Sequence, residues 1–131
     1  MYTHRTSIKL HQTDAAGLLF FAQQFTLIHD TYELYMESLG FSFATILKEA
    51  DYLLAIVHAE ADFKKPLFVG DRLTIKLKLD NVGQSSYILG YELVNDQGEL
   101  VGTAQTVHVC LDRETGKKRN LPQALRAKLN G

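Results

Sequence analysis

His11-Gln12-Thr13-Asp14-Ala15-Ala16-Gly17-Leu18-Leu19-Phe20-Phe21 separates two kinds of sequence. Before it, Ile8 and Leu10 alternate with Ser7 and Lys9, so Thr6 to Leu10 reads as a strand. After it, Phe21, Phe25, Ile28, Tyr32, Tyr35 and Leu39 recur at steps of four and three. That spacing predicts one face of an amphipathic helix of about five turns. The segment itself is small and polar and follows neither period. A strand thus hands over to a long helix through a loop that carries a carboxylate.

Working outward, Gly40 is placed to end the helix in a left-handed conformation. Ser42 can cap a second, short helix through about Ala50. From Leu53 to Phe63 the period is two, and Pro66 closes that strand ahead of a Gly70-Asp71 turn. Leu73, Ile75, Leu77 and Leu79 set against Thr74, Lys76 and Lys78 make the cleanest strand. Gly83 turns the chain into a strand from Ser86 to Val94. Asn95-Asp96-Gln97-Gly98 is a hairpin signal before a last strand, Leu100 to Leu111. Leu121 to Leu129 reads as a terminal helix with Pro122 near its first turn. The connections between the later strands are too short for parallel crossovers. The expected fold is therefore α+β, a largely antiparallel five-stranded sheet with one long helix. One helix cannot cover both faces of such a sheet, and a second copy of the chain is expected to complete it as a homodimer or homotetramer.

At 131 residues the chain is expected to form one domain, 1–131, and 46% hydrophobic residues suffice for a core. A net charge of −1 argues against nucleic acid or an anionic membrane as partner. The apolar stretches are too short to span a bilayer, and no apolar signal core opens the chain. Cys110 is the only cysteine, which points to a reducing, cytoplasmic setting. The five histidines show no zinc-ligand spacing, so no metal is expected.

The chemistry centres on Asp14. Ala15, Ala16 and Gly17 permit close approach of a ligand, and the following helix start offers unpaired N–H groups and a positive dipole end. Such a set can activate water, or attack directly, at a carbonyl whose oxyanion it stabilises. The alternative is that Asp14 caps the helix, the commonest use of an Asp at such a position. Two details weigh against capping: strong helical periodicity starts several residues later, and Gly17 suits a first turn poorly. No Gly-x-Ser-x-Gly elbow exists.

Three stretches carry a resemblance. TDAAGLLFFAQQF (13–25), FKKPLFVGDRL (63–73) and VHVCLDRETGKKRNLP (107–122) resemble, in the right order, motifs of the 4-hydroxybenzoyl-CoA thioesterase group of hot-dog-fold proteins. Within that group, TDAAG with two aromatics and IHDTYELYMESLG (28–40) are most similar to the 1,4-dihydroxy-2-naphthoyl-CoA hydrolases of phylloquinone and menaquinone biosynthesis. The resemblance implies a hot-dog sheet wrapped around the long helix and hydrolysis of an acyl-CoA without cofactor. It assigns Asp14 as nucleophile or general base, the Phe21 backbone N–H as oxyanion donor, and Gly17 as the residue shaping the loop. It also places the site at a subunit interface.

His29 stands where relatives often carry Glu or Asp, and it could orient a phenolic substrate. Glu33, one turn on, is a rival carboxylate. Phe20 suits an aromatic acyl group, although an aromatic stripe at helical spacing is more often core. Lys64, Lys65 and Arg72 could meet CoA phosphates or be solvated charge, and Ser86 aligns with a position that touches the CoA arm. Rival functions are a short- or medium-chain acyl-CoA or acyl-carrier-protein thioesterase, a hydratase, and a non-catalytic acyl-CoA-binding module.

Overall fold

The computed structural model describes residues 1–131. Chain order is β1 (Tyr2–Ser7), a 3₁₀ turn (Leu10–Gln12), α1 (Gln23–Ser38), α2 (Phe43–Glu49), β2 (Tyr52–Phe63), β3 (Arg72–Val82), β4 (Ser86–Asn95), β5 (Leu100–Asp112) and α3 (Gln123–Asn130). The strands form one sheet in the order β1-β3-β4-β5-β2, antiparallel throughout. This is the α+β, hot-dog arrangement expected, with β1 and β2 at the two edges.

Local chemistry explains most element boundaries. Gly40, at φ 89°, ends the long helix in the left-handed region. Ser42 Oγ accepts the Thr45 N–H at 3.2 Å and caps α2. Asn95 and Gly98, with Gly98 at φ 78°, close the β4–β5 hairpin. Pro122 sits at the N-cap of α3.

The core lies between α1 and one sheet face. Leu27, Ile28, Tyr32 and Met36 from α1 meet Leu73, Ile75 and Leu77 from β3 and Tyr87, Leu89, Tyr91 and Leu93 from β4. Alternate residues of each strand point inward, so the period-two pattern maps directly onto burial. Each such Leu or Ile contributes roughly 1.5–3 kcal/mol relative to an exposed one.

Three details differ from the sequence reading. The first strand is Tyr2–Ser7, not Thr6–Leu10. Its pairing with β3 ends at Ser7↔Arg72, and Leu10 lies 75% exposed beyond it. The long helix starts at Gln23, so Phe21 precedes it and is exposed. Its buried stripe runs through Gln24, Leu27, Ile28, Thr31, Tyr32 and Met36, while Phe25, Tyr35 and Leu39 only flank the core. Hydrophobic periodicity misses Gln24 and Thr31 because both are polar. They are tolerated inside because each hydrogen-bonds within the fold.

The second face of the sheet stays open. Ile56 and Val57 on edge strand β2 are exposed, at a bulge where pairing with β5 shifts between Ile56 and His58. His58 stands exposed, its Nε2 3.3 Å from Glu60 Oε1. No helix is long and apolar enough to cross a membrane.

Candidate active site

Asp14 opens a tight turn. The Gly17 N–H donates to Asp14 O at 3.0 Å, and Gly17 has φ 79°, where a Cβ would cost about 1–2 kcal/mol. The Asp14 N–H in turn donates to Leu18 O at 2.8 Å. Asp14 Oδ1 accepts the N–H groups of Ala16 at 2.9 Å and Leu18 at 3.2 Å. Oδ2 takes no hydrogen bond from the protein. The carboxylate is therefore oriented by its own turn through one oxygen and free at the other. It does not cap α1, whose N-cap is Ala22.

The loop is held by the second motif. The Leu19 N–H donates to Leu67 O at 2.7 Å, and the Val69 N–H to Gly17 O at 3.1 Å. Under them Asp71 Oδ2 accepts the Phe68 N–H at 2.8 Å, and Gly70, at φ 88°, bonds through its N–H to Ile8 O at 2.8 Å. FKKPLFVGDRL thus forms a turn that docks the Asp14 loop.

Just before α1 the backbone turns once, with the Gln23 N–H on Phe20 O at 2.8 Å and the Gln24 N–H on Phe21 O at 3.2 Å. The N–H groups of Phe21 and Ala22 make no hydrogen bond within the chain, as expected for the open end of a helix. Asp14 and Phe21 line the same cleft, of about 500 Å³. Its apolar side is aromatic: Phe20 and Phe21 lie 4.9 Å apart by ring centroids, and Phe63 meets Phe21 edge-on at 6.3 Å. Lys64, Lys65 and Gln24 also line it. An oriented carboxylate, free amide donors and a mostly apolar cleft are the parts that hydrolysis of an activated acyl group requires.

Of the other sequence candidates, only Lys64 and Lys65 reach this cleft. His29 and Glu33 pair with each other on the solvent side of α1, Nδ1 to Oε1 at 3.2 Å, outside the cleft. Ser86 opens β4 opposite Val109, also outside it. Lys65 is engaged by Glu99 across the β2 end, and this bond, with help from Asn95, holds the Glu99 carboxyl below its usual pKa. Lys64 makes no ion pair and remains free at the rim. Arg72 starts β3 on the exposed side. Six lining residues, Leu18, Leu19, Gln24, Phe63, Pro66 and Leu67, were given no role in the site by the sequence reading. Phe63 ends β2 and opens FKKPLFVGDRL but was assigned no role there, and Gln24 interrupts the apolar stripe of α1. A polar residue at a buried helical position was the signal available for Gln24.

Residues 8–129 match the thioesterase-like superfamily, and the chain belongs to it. It is 35% identical over 125 residues to a 1,4-dihydroxy-2-naphthoyl-CoA hydrolase of Synechococcus elongatus, covering 95% of this chain and 91% of that protein. A protein of the same name from Rippkaea orientalis is 32% identical over 127 residues, 95% of this chain and 92% of the relative. Among solved structures, a 1,4-dihydroxy-2-naphthoyl-CoA thioesterase from Synechocystis superposes with a TM-score of 0.93 at 32% identity, covering 98% of this chain and 95% of that one.

Proposed function

We propose that this chain hydrolyses an aromatic acyl-CoA, 1,4-dihydroxy-2-naphthoyl-CoA, to the free acid and CoA, a step of phylloquinone or menaquinone formation. The observation that carries the reading is the free Oδ2 of Asp14 in one cleft with the unpaired Phe21 N–H. The thioester carbonyl accepts the Phe21 N–H, which stabilises the oxyanion as it forms. Asp14 then acts in one of two ways. As nucleophile it adds to the carbonyl carbon, the C–S bond breaks, CoA leaves as its thiolate, and water hydrolyses the mixed anhydride. As general base it takes the proton of a water that adds to the same carbon, and the C–S bond of the tetrahedral intermediate then breaks to release CoA as its thiolate. Gly17 keeps the turn that aims the carboxylate in either case.

The aromatic walls of Phe20, Phe21 and Phe63 suit a flat acyl group, and the names carried by the relatives agree. Lys64 is placed to meet a CoA phosphate, a role less open to Lys65 because Glu99 holds it. His29, Glu33 and Ser86 reach substrate only if a second copy brings them to its cleft. A homodimer or homotetramer is part of the proposal, supported by the free edge and exposed apolar residues of β2. The buried thiol of Cys110 fits a cytoplasmic setting.

The test is a panel of CoA and acyl-carrier-protein thioesters followed with a thiol-detecting reagent. The naphthoyl ester should be hydrolysed with the highest kcat/KM. Equal or better turnover of aliphatic esters rejects the substrate, and no thiol release from any ester rejects the activity.

A further inference from the structure

Gln24 is an odd residue to find where it is. It occupies the first turn of α1, is 1% exposed, and yet lines the cleft that holds Asp14 and Phe21. Its Nε2 donates to two backbone carbonyls, Asp62 O at 3.2 Å and Thr103 O at 3.1 Å. These residues face each other across the β2–β5 ladder. Two carbonyl partners fix which end of the amide is the nitrogen, since an oxygen there would meet only acceptors. The side-chain oxygen is fixed in turn, and it receives no hydrogen bond from the protein.

The amide also needs Gly102. A Cβ at that position would lie 2.9 Å from both Nε2 and Oε1, closer than side chains approach. The sheet thus leaves a gap under this side chain. A buried amide pinned at its donor end and open at its acceptor end carries a desolvation cost unless something donates to it. The rings of Phe20, Phe21 and Phe63 offer no such donor, and neither the Phe21 N–H nor the ammonium groups of Lys64 and Lys65 bond it.

We propose that Gln24 is a specificity-determining residue, its Oε1 accepting a hydrogen bond from a hydroxyl of the aromatic acyl group. The inference rests on the aromatic thioesterase reading above and deepens it. Gln24 and Phe21 line one cleft, and Gln24 follows Phe21 by three residues in one turn of backbone. A ring hydroxyl held by Oε1 therefore sets the acyl group's orientation relative to the amide that receives its carbonyl. An acyl group without that hydroxyl leaves Oε1 buried and unpaired, and such a site discriminates against it.

The experiment measures kcat/KM for 1,4-dihydroxy-2-naphthoyl-CoA and for 2-naphthoyl-CoA in the wild type, Gln24→Met and Gly102→Ala. The methionine keeps length and bulk but loses the acceptor. The alanine displaces the amide without changing the chemistry of any cleft side chain, and it supplies the reading should Gln24→Met fail to fold. The wild type prefers the hydroxylated ester. In both variants the ratio of the two kcat/KM values falls about tenfold, the worth of one hydrogen bond at about 1.4 kcal/mol. An unchanged ratio overturns the inference even if both rates drop, because Gln24 is then only a brace between α1 and the sheet. A wild type with no preference between the esters also overturns it. A wild type that hydrolyses neither ester removes the proposed function itself.

Discussion

Asp14 Oδ1 accepts the Leu18 N–H at 3.2 Å, so the carboxylate is braced from within its own turn and only Oδ2 is left to act. An asparagine can keep that brace through its amide oxygen while losing the charge. Asp14→Asn should therefore fold normally and bind CoA esters, but hydrolyse them several hundredfold more slowly, a barrier increase of about 4 kcal/mol. Steady-state kinetics beside equilibrium binding of a CoA ester checks both halves. Retained turnover there, with loss in Glu33→Gln, would move the essential carboxylate to α1.

The turn that aims Asp14 depends on Gly17 at φ 79°. Nothing lies near the position of a Cβ there, so Gly17→Ala meets strain in the backbone rather than a clash. The expected cost is about 1–2 kcal/mol of stability with reduced kcat. Gly17→Asn should be milder, since Asn adopts this conformation more readily than Ala. Thermal melts and kcat for the two variants give the comparison.

Under α1, the hydroxyls of Tyr32 and Tyr87 meet at 2.5 Å in the core. Burial raises both phenol pKa values well above the usual range, so the bond joins two neutral groups. Tyr87→Phe strands the Tyr32 hydroxyl and should cost about 1–3 kcal/mol. The double change, Tyr32→Phe with Tyr87→Phe, should cost less than the sum of the two singles. A double-mutant cycle by urea unfolding measures the difference.

His108 is 1% exposed and stacks on Tyr87 with ring centroids 4.8 Å apart. Its Nε2 bonds Thr106 Oγ1 at 2.7 Å, while its Nδ1 has no partner. Burial, with a smaller push from His29, lowers its pKa from 6.5 to about 3. The folded chain thus refuses a proton that the unfolded chain accepts. Its contribution is complete above pH 6.5 and is lost as pH falls from there toward about 3. At about pH 5 the loss is on the order of 2 kcal/mol. His108→Phe should flatten the decline in stability between neutral pH and that point. Urea midpoints across the range test it, and an equally steep decline in the variant refutes the assignment.

Edge strand β2 carries Val57 58% exposed at its bulge. If copies join there, Val57→Glu places a charge in the contact and should reduce the sedimenting mass to that of a single chain, with activity falling alongside. A wild type that already sediments as one chain refutes the oligomer.

What the residues determine alone is whatever depends on neighbours in sequence. The alternation of Leu73, Ile75, Leu77 and Leu79 predicts β3, Ser42 predicts the start of α2, Gly40 the end of α1, and Asn95 to Gly98 the hairpin. Asp14 with Ala15, Ala16 and Gly17 is legible as a carboxylate on a permissive loop for the same reason. Tertiary structure decided the rest. The first strand ends where β3 stops pairing with it, which its own alternation does not encode. Whether Asp14 capped a helix or faced a cleft turned on the docking of residues 17–19 against 67–69, some fifty positions away. Phe63 and Gln24 joined Asp14 because the end of β2 and the first turn of α1 converge on that loop. Periodicity records which side of an element is apolar. Only the closing of distant backbone hydrogen bonds determines which residues share a wall.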